Sequence, residues 1–206
     1  MGHRFAEIAF TDAVKAVQAE MGSRINYARR EGGDVMHNDR LGPIEASFIA
    51  GRDSFYMATA GETGWPYVQH RGGPKGFLRV LGEKTIGFAD FSGNRQYVSV
   101  GNLAGNDRVS MFLVDYPSRT RLKLLGRARL IGLEDSDTMA KLAGPQYRAR
   151  IERGVLVTVE AFDWNCPQHI TPRFTAEEVE RAIEPLRLRV AELEAALSHV
   201  RSAASK

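Results

Sequence analysis

The chain has 206 residues, 43% hydrophobic and 26% charged, with a formal net charge of +3. That length can bury roughly 70% of its unfolded surface as one substantial domain with extensions, and the mild charge falls short of a dedicated nucleic-acid binder. A single cysteine excludes an intrachain disulfide framework and fits a reducing compartment, while the lack of a signal-peptide core or an apolar run near about 18 residues points to a cytoplasmic chain that crosses no membrane.

Three regions follow one another without an internal repeat: a helical extension over 1–52 packed on a barrel, a β-rich body over 53–174, and a helical tail over 175–206. In the first, Thr11 or Asp12 can cap a helix with Val14, Val17 and Met21 on one side, stopped by Gly22. Residues 29–38 are glycine-rich and predict a loop. Pro43 suits the first turn of a short helix with Ile44, Phe48 and Ile49 inward, ending at Gly51.

The body predicts strands at 54–60, 65–71, 76–81, 84–91, 107–115, 120–132 and 153–163, with helices at about 95–103 and 135–143. Short connections between β-segments favour an antiparallel barrel over a doubly wound sheet. No Gly-x-Gly-x-x-Gly follows a strand, which leaves a Rossmann dinucleotide site unsupported.

Two turns in this body carry fixed positive charge. The second strand ends in His70-Arg71-Gly72-Gly73-Pro74-Lys75, where the glycines leave backbone open to a flat ring system. A simple hairpin loop accounts for the glycines and the proline equally well. The fourth strand breaks after Phe91 into Ser92-Gly93-Asn94-Arg95-Gln96. If Ser92 or Asn94 caps the following helix, the N–H groups of Arg95, Gln96 and Tyr97 point at the strand end, and Arg95 can pair with a phosphate. An ordinary capped turn with a solvated arginine explains the same residues.

Further along, Arg119, Arg121, Lys123, Arg127 and Arg129 fall on one face of a strand, with Leu122, Leu124, Ala128 and Leu130 on the other. That is the pattern of a solvated outer face, of a cationic face reaching an anionic ligand, or of a nucleic-acid track. Few aromatics interleave it, which weakens the last. His70, His169 and His199 lack close metal-ligand spacing with Cys166. In the tail, Thr175 and Glu178 form a capping box. Val179, Ile183, Leu186, Val190, Leu193, Leu197 and Val200 then make a heptad seam, interrupted by Pro185 on the helix. Such a seam can pair with its twin or lie on the barrel.

The ordered set from Trp65 to Leu130 resembles the FMN-binding split β-barrel family typified by pyridoxamine 5′-phosphate oxidase. His70-Arg71-Gly72-Gly73, Phe88-Ala89-Asp90-Phe91, Ser92-Gly93-Asn94-Arg95-Gln96 and the strand through Gly126-Arg127-Ala128 carry it. Asp163-Trp164-Asn165-Cys166-Pro167-Gln168-His169-Ile170 is similar to the closing motif of an oxidase-related subgroup. The resemblance spans roughly 40–174 and departs at the end, where no Arg-x-His follows Trp164; true oxidases of the family grip the substrate phosphate with that segment.

The resemblance implies a mainly β, α+β fold, a Greek-key antiparallel split barrel with N-terminal helices and a C-terminal helix. It implies a homodimer with the cofactor at or near the subunit interface, FMN as cofactor, and two-electron transfer to or from a small molecule. Its site residues would be His70, Arg71, Gly72, Gly73, Lys75, Phe91, Ser92, Asn94, Arg95 and Gln96, with Trp164, Asn165 and Gln168 closing the site. No catalytic side chain, metal, nucleic acid or membrane enters this expectation. The alternative is a flavin, haem or deazaflavin binder without turnover, acting as carrier, sensor or electron-transfer partner.

Overall fold

A computed structural model describes residues 3–31, 38–144, 147–164 and 168–204. Helices α1 (Arg4–Ala9), α2 (Asp12–Glu20), α3 (Arg24–Glu31) and α4 (Pro43–Ala50) come first. Strands β1 (Ser54–Ala60), β2 (Pro66–Gly72), β3 (Arg79–Gly82) and β4 (Thr85–Phe91) follow, then α5 (Val98–Gly105), β5 (Arg108–Asp115), β6 (Thr120–Ile131), α6 (Ser136–Leu142), β7 (Ile151–Trp164) and α7 (Ala176–Ala204). The seven strands form one sheet in the order β2-β1-β5-β6-β7-β4-β3, every pair antiparallel. This is the architecture of a split barrel.

Period-two alternation builds the walls. Phe55 and Met57 of β1 and Met111 and Leu113 of β5 turn inward and are almost fully buried. On β4 the whole run Ile86-Gly87-Phe88-Ala89-Asp90 is buried, because this strand has packing on both faces. One face meets the aromatic centre of Phe55, Phe77 and Phe88, and the other meets α6 through Met139 and Leu142. Gly87 and Gly154 make room for that helix: a Cβ on either would stand 2.7 Å or less from a Leu142 methyl or Leu156 side chain. Gly126, at the register shift between β6 and β7, has Thr158 carbonyl oxygen 2.4 Å from where a Cβ would sit. Parity changes near the end of β6, leaving Leu130 exposed and Ile131 buried, so the alternation expected through Leu130 stops before it.

The cationic face of β6 is largely neutralised within the chain. Lys123 pairs with Asp163 at 2.8 Å, and Arg127 with both Glu160 at 2.6 Å and Asp107 at 2.9 Å. Arg121 lies over the Phe112 ring.

Among the N-terminal elements, Thr11 caps α2 by accepting from the Val14 N–H at 3.4 Å, and Gly22 closes the turn after it with φ +72°. Helix α3 occupies the start of the stretch expected as a loop. Pro43 opens α4 and Ile49 enters the core, but Ile44 is exposed: the helix buries one narrow face against the strands, and Ile44 lies off it.

The chain divides into two compact units, Met1–Asp115 with Thr120–Pro167, and Tyr116–Arg119 with Gln168–Lys206. In the second, Arg173 stacks over Tyr116, and Thr175 and Glu178 exchange hydrogen bonds of 2.8 and 3.2 Å at the start of α7. No helix among the described residues is long and apolar enough to cross a membrane.

Candidate functional site

The sheet curls until its two ends meet, and a charged site forms at the meeting. Edge strand β2 directs Gln69 and Arg71 inward and Val68 and His70 outward. Five places away in the sheet order, β4 presents Asp90, which is buried. Arg71 Nη1 donates to Asp90 Oδ1 at 2.5 Å, bridging the ends.

Beyond Phe91 the chain makes a turn that departs from the expected one. Helix α5 starts at Val98 behind Tyr97, with no side-chain cap, so neither Ser92 nor Asn94 caps it. Asn94 Oδ1 instead accepts from the Gln96 N–H at 3.3 Å, and Arg95 and Tyr97 both adopt left-handed backbone, φ 60° and 53°. Non-glycine residues in this region cost about 1–2 kcal/mol each. The local turn outcompetes the helix for those residues and delays it by three positions.

β2, β4, this turn, α5 and the start of β7 enclose a cavity of about 260 Å³. Arg71, Phe91, Asn94 and Arg95 line it together with Gln69, Asp90, Gly93, Tyr97, Ser99, Val100 and Glu152. Gln69 is held by the buried Ser99 hydroxyl at 3.0 Å.

Charge runs around the cavity as an alternating network. Arg95 Nε donates to Tyr97 Oη at 3.2 Å, and Tyr97 Oη donates to Glu152 Oε1 at 3.3 Å. Arg153 donates to Glu152 at 2.8 Å, sits 3.6 Å from Asp90, and stacks on the Tyr97 ring. Burial pushes the Asp90 carboxyl above the ordinary carboxylate range, against the opposing pull of Arg71 and Arg153. Burial also pushes Glu152 upward, but hydrogen bonds from Ser92, Arg153 and Tyr97 hold it below its usual value. Three guanidinium groups thus face two carboxylates, and the buried Arg71 Nε has no hydrogen-bond partner among the described residues. With Arg153 counted, this network holds one more arginine than acid, a balance that can receive an anion.

The other expected site residues lie elsewhere. His70 is on the opposite face of β2, edge-on to Tyr56. Gly72 is paired with Ser54 in the ladder, and the Gly73 N–H donates to Asp53 carbonyl oxygen at 2.9 Å, so neither leaves bare backbone at the cavity. Lys75 and Gln96 are exposed and do not line it. Ser92 donates its backbone N–H to Arg150 and supports Glu152 from the rim. Trp164 is twelve residues from Glu152 along β7, where its Nε1 donates to Glu45 at 2.9 Å and its ring meets Phe48 edge-on. There it lines a separate, open apolar groove of about 840 Å³ with Pro43, Ile44, Ser47, Phe48 and Thr120. Asn165 lies outside the described residues, and Gln168 belongs to the second unit.

The sequence does not single out Gln69, Asp90, Gly93, Tyr97, Ser99, Val100, Glu152 or Arg153 as site residues. Gln69 had a signal, since it shares the period-two face of Arg71. Glu152 and Arg153 had none, because the start of β7 reaches the turn only through its long-range ladder with β4, which pairs Asp90 with Arg153 and Phe91 with Ile151. Among the described residues no group of three or more His, Cys, Asp or Glu could hold a metal ion.

The family model of pyridoxamine 5′-phosphate oxidase matches residues 45–180, about two-thirds of the chain. The chain belongs to that family. As a pyridoxamine 5′-phosphate oxidase-family protein it joins a group whose members typically bind flavin. Solved structures similar to it include HupZ from Group A Streptococcus, 14% identical, covering 65% of this chain and 100% of that one at a TM-score of 0.46. A putative pyridoxamine 5′-phosphate oxidase from Lactobacillus delbrueckii is 17% identical over 62% of this chain and 97% of that one, TM-score 0.47. A conserved hypothetical protein from Mycobacterium tuberculosis is 16% identical over 70% and 97%, TM-score 0.46. Likenesses this distant carry no argument about activity. No curated relative matches the chain.

Proposed function

We propose that this protein binds FMN through the cavity between β2, β4 and the Ser92–Tyr97 turn, and acts as an FMN-dependent oxidoreductase on a small molecule. The observation that carries the proposal is the convergence of Arg71 and Arg95, from separate elements, on one cavity, with Arg153 behind its two acids.

The residues fit the charged end of such a cofactor. Arg95 is exposed and held by one bond to Tyr97, so it can turn to a phosphate with little loss. Arg71 is fixed by Asp90 and offers a stationary charge beneath. Asn94 can donate its amide while its carbonyl oxygen stays on Gln96 N–H. At about 260 Å³ the cavity lies below the roughly 300–1,000 Å³ of sites that engulf a whole ligand. It therefore suits the phosphate and ribityl end, with the ring at its mouth. Trp164 faces another groove in its own chain, so cover for the ring falls to a second subunit, in a homodimer whose site lies at or near the interface. Bound flavin supplies two-electron transfer, and the protein supplies binding, orientation and exclusion of water. A cytoplasmic setting accords with the single cysteine.

One observation favours a second reading, a flavin binder without turnover. The titratable groups lining the cavity are engaged: Asp90 with Arg71 and Arg153, Glu152 with Arg153 and Tyr97. None is left as a ready general acid or base. The test begins with the absorbance of the purified protein and titration with FMN, where failure to bind sinks both readings. Stopped-flow mixing of the loaded protein with NADH or NADPH and candidate acceptors then separates them. A flavin that stays oxidised throughout supports the binder.

A further inference from the structure

The tail helix α7 carries an apolar seam that the flavin site does not use. Val179, Leu186, Val190, Leu193, Leu197 and Val200 are between 44% and 66% exposed, and Ile183 is half-buried. Their spacing puts Ile183, Val190 and Leu197 at a positions of a heptad and Val179, Leu186, Leu193 and Val200 at d positions. At the helical rise per residue, the seam from Val179 to Val200 is about 32 Å long.

We propose that this seam is the contact surface for the same helix of a second copy, forming a parallel two-stranded coiled coil. Two features select that partner and that orientation. The central layers place β-branched Ile183 and Val190 at a and Leu186 and Leu193 at d, the combination that favours two parallel strands. The flanking charges are also self-complementary. In a parallel pair each g residue meets the e residue five positions on in the other helix. Arg189 therefore meets Glu194 of the second copy, twice by symmetry, while Ala182 and Ala196 at the other g positions leave Arg187 and Arg201 without a like-charged neighbour.

Pro185 does not obstruct the pairing. It occupies a c position on the outer face, so the carbonyl it frees points to water. Arg189 currently pairs with Glu192 of its own helix at 2.8 Å, both ends about two-thirds exposed. An exchange of that weak pair for the intermolecular one costs little.

The test uses the full chain with Cys166→Ser, which removes its only thiol, and Val200→Cys added. A parallel pair sets the two introduced thiols against each other in one d layer, and mild oxidation should link most of the chain into covalent dimers. Arg189→Glu in this background places like charges across the seam and should slow linking roughly tenfold or more. Adding Glu194→Arg to that variant should restore the original rate, because the double reversal rebuilds both pairs. Arg189, Glu194 and Val200 are exposed, and equal helicity by circular dichroism shows that α7 persists. The proposal is overturned if Val200→Cys chains fail to link. It also falls if linking ignores Arg189→Glu, or if a mixture of Ile183→Cys and Val200→Cys chains links faster than either alone, which is the antiparallel result.

Discussion

Replacing Arg95 with alanine isolates the proposed phosphate contact more cleanly than any other change at the cavity. Arg71 cannot serve, because its loss also removes the only hydrogen bond to the buried Asp90 side chain among the described residues and leaves it Arg153 at 3.6 Å. Arg95 is exposed, its one hydrogen bond is a 3.2 Å contact to Tyr97, and Tyr97 keeps its own bond to Glu152 when Arg95 goes. The substitution therefore leaves no buried group unpaired, and the folded state should be nearly unaffected. What it removes is a charge-assisted hydrogen bond to a dianion, worth about 1.5–3 kcal/mol, which corresponds to roughly 10- to 150-fold in dissociation constant. Arg95 holds a left-handed φ of 60°, so Arg95→Gly in parallel separates the charge from the backbone preference. Titration of flavin fluorescence with each variant, alongside a thermal melt, gives both quantities. Both variants should weaken FMN to a similar degree; Arg95→Ala should melt near the parent and Arg95→Gly no lower. A dissociation constant within about twofold of the parent would show that Arg95 does not meet the phosphate.

Arg71→Ala should instead lower stability by up to about 3 kcal/mol, since it leaves the buried Asp90 with only the more distant Arg153 at 3.6 Å; chemical denaturation measures it. For Asp90, the folded value lies above the ordinary one, so its contribution to stability is greatest below the unfolded value of about 4 and is lost as pH rises through the folded value. Asp90→Asn should accordingly narrow its disadvantage, or gain, against the parent as melts move from acid to neutral pH; an invariant difference would refute this. Glu31 shows the opposite sign: Arg24, by hydrogen bonds of 2.6 and 2.7 Å, holds its carboxyl at about 2. Its contribution is present above the ordinary carboxylate value and lost as pH falls toward about 2, so Glu31→Gln should raise hydrogen exchange in α2 and α3 at about pH 7 and change it little near about pH 2. Gly126→Ala should destabilise by about 1–3 kcal/mol or more, because its methyl would strike the Thr158 carbonyl across the β6–β7 register shift.

Much of the fold was legible because the strands alternate cleanly. The bounds expected for 54–60 and 84–91 differ from β1 and β4 by at most one residue. Alternation fixes strand identity locally, and each of these segments is bounded by a turn signal. Pro43, Thr11 and the Thr175–Glu178 box fixed helix starts for the same reason: a cap is a short-range contact. Helix α5 starts three positions after the expected residue 95 because the backbone before it is engaged locally. Asn94 satisfies Gln96 N–H locally, and two left-handed residues then intervene, a preference no apolar spacing reveals. The spacing cannot tell that Ile44 faces outward, because a short helix with mostly apolar residues shows no preferred face and only contact with the strands chooses one.

The site divides along the same line between local and non-local. Arg71 and Arg95 announce themselves in the sequence as charges at strand ends, but a charge at a strand end says nothing of what it faces. What makes the cavity a candidate anion site is the balance of charge around it, and that balance is set by β7. Glu152 draws on Tyr97, and Arg153 shares Asp90 with Arg71, from a strand separated from the Ser92–Tyr97 turn by α5, β5, β6 and α6. The β4–β7 ladder supplies these groups and barrel closure supplies Arg71, both long-range pairings that strand-by-strand reading cannot weigh. It follows that the cavity is tuned as much by its acids as by its arginines. Asp90 orients Arg71 and Glu152 restrains Arg95 through Tyr97, so an anion bound as proposed has to compete with both.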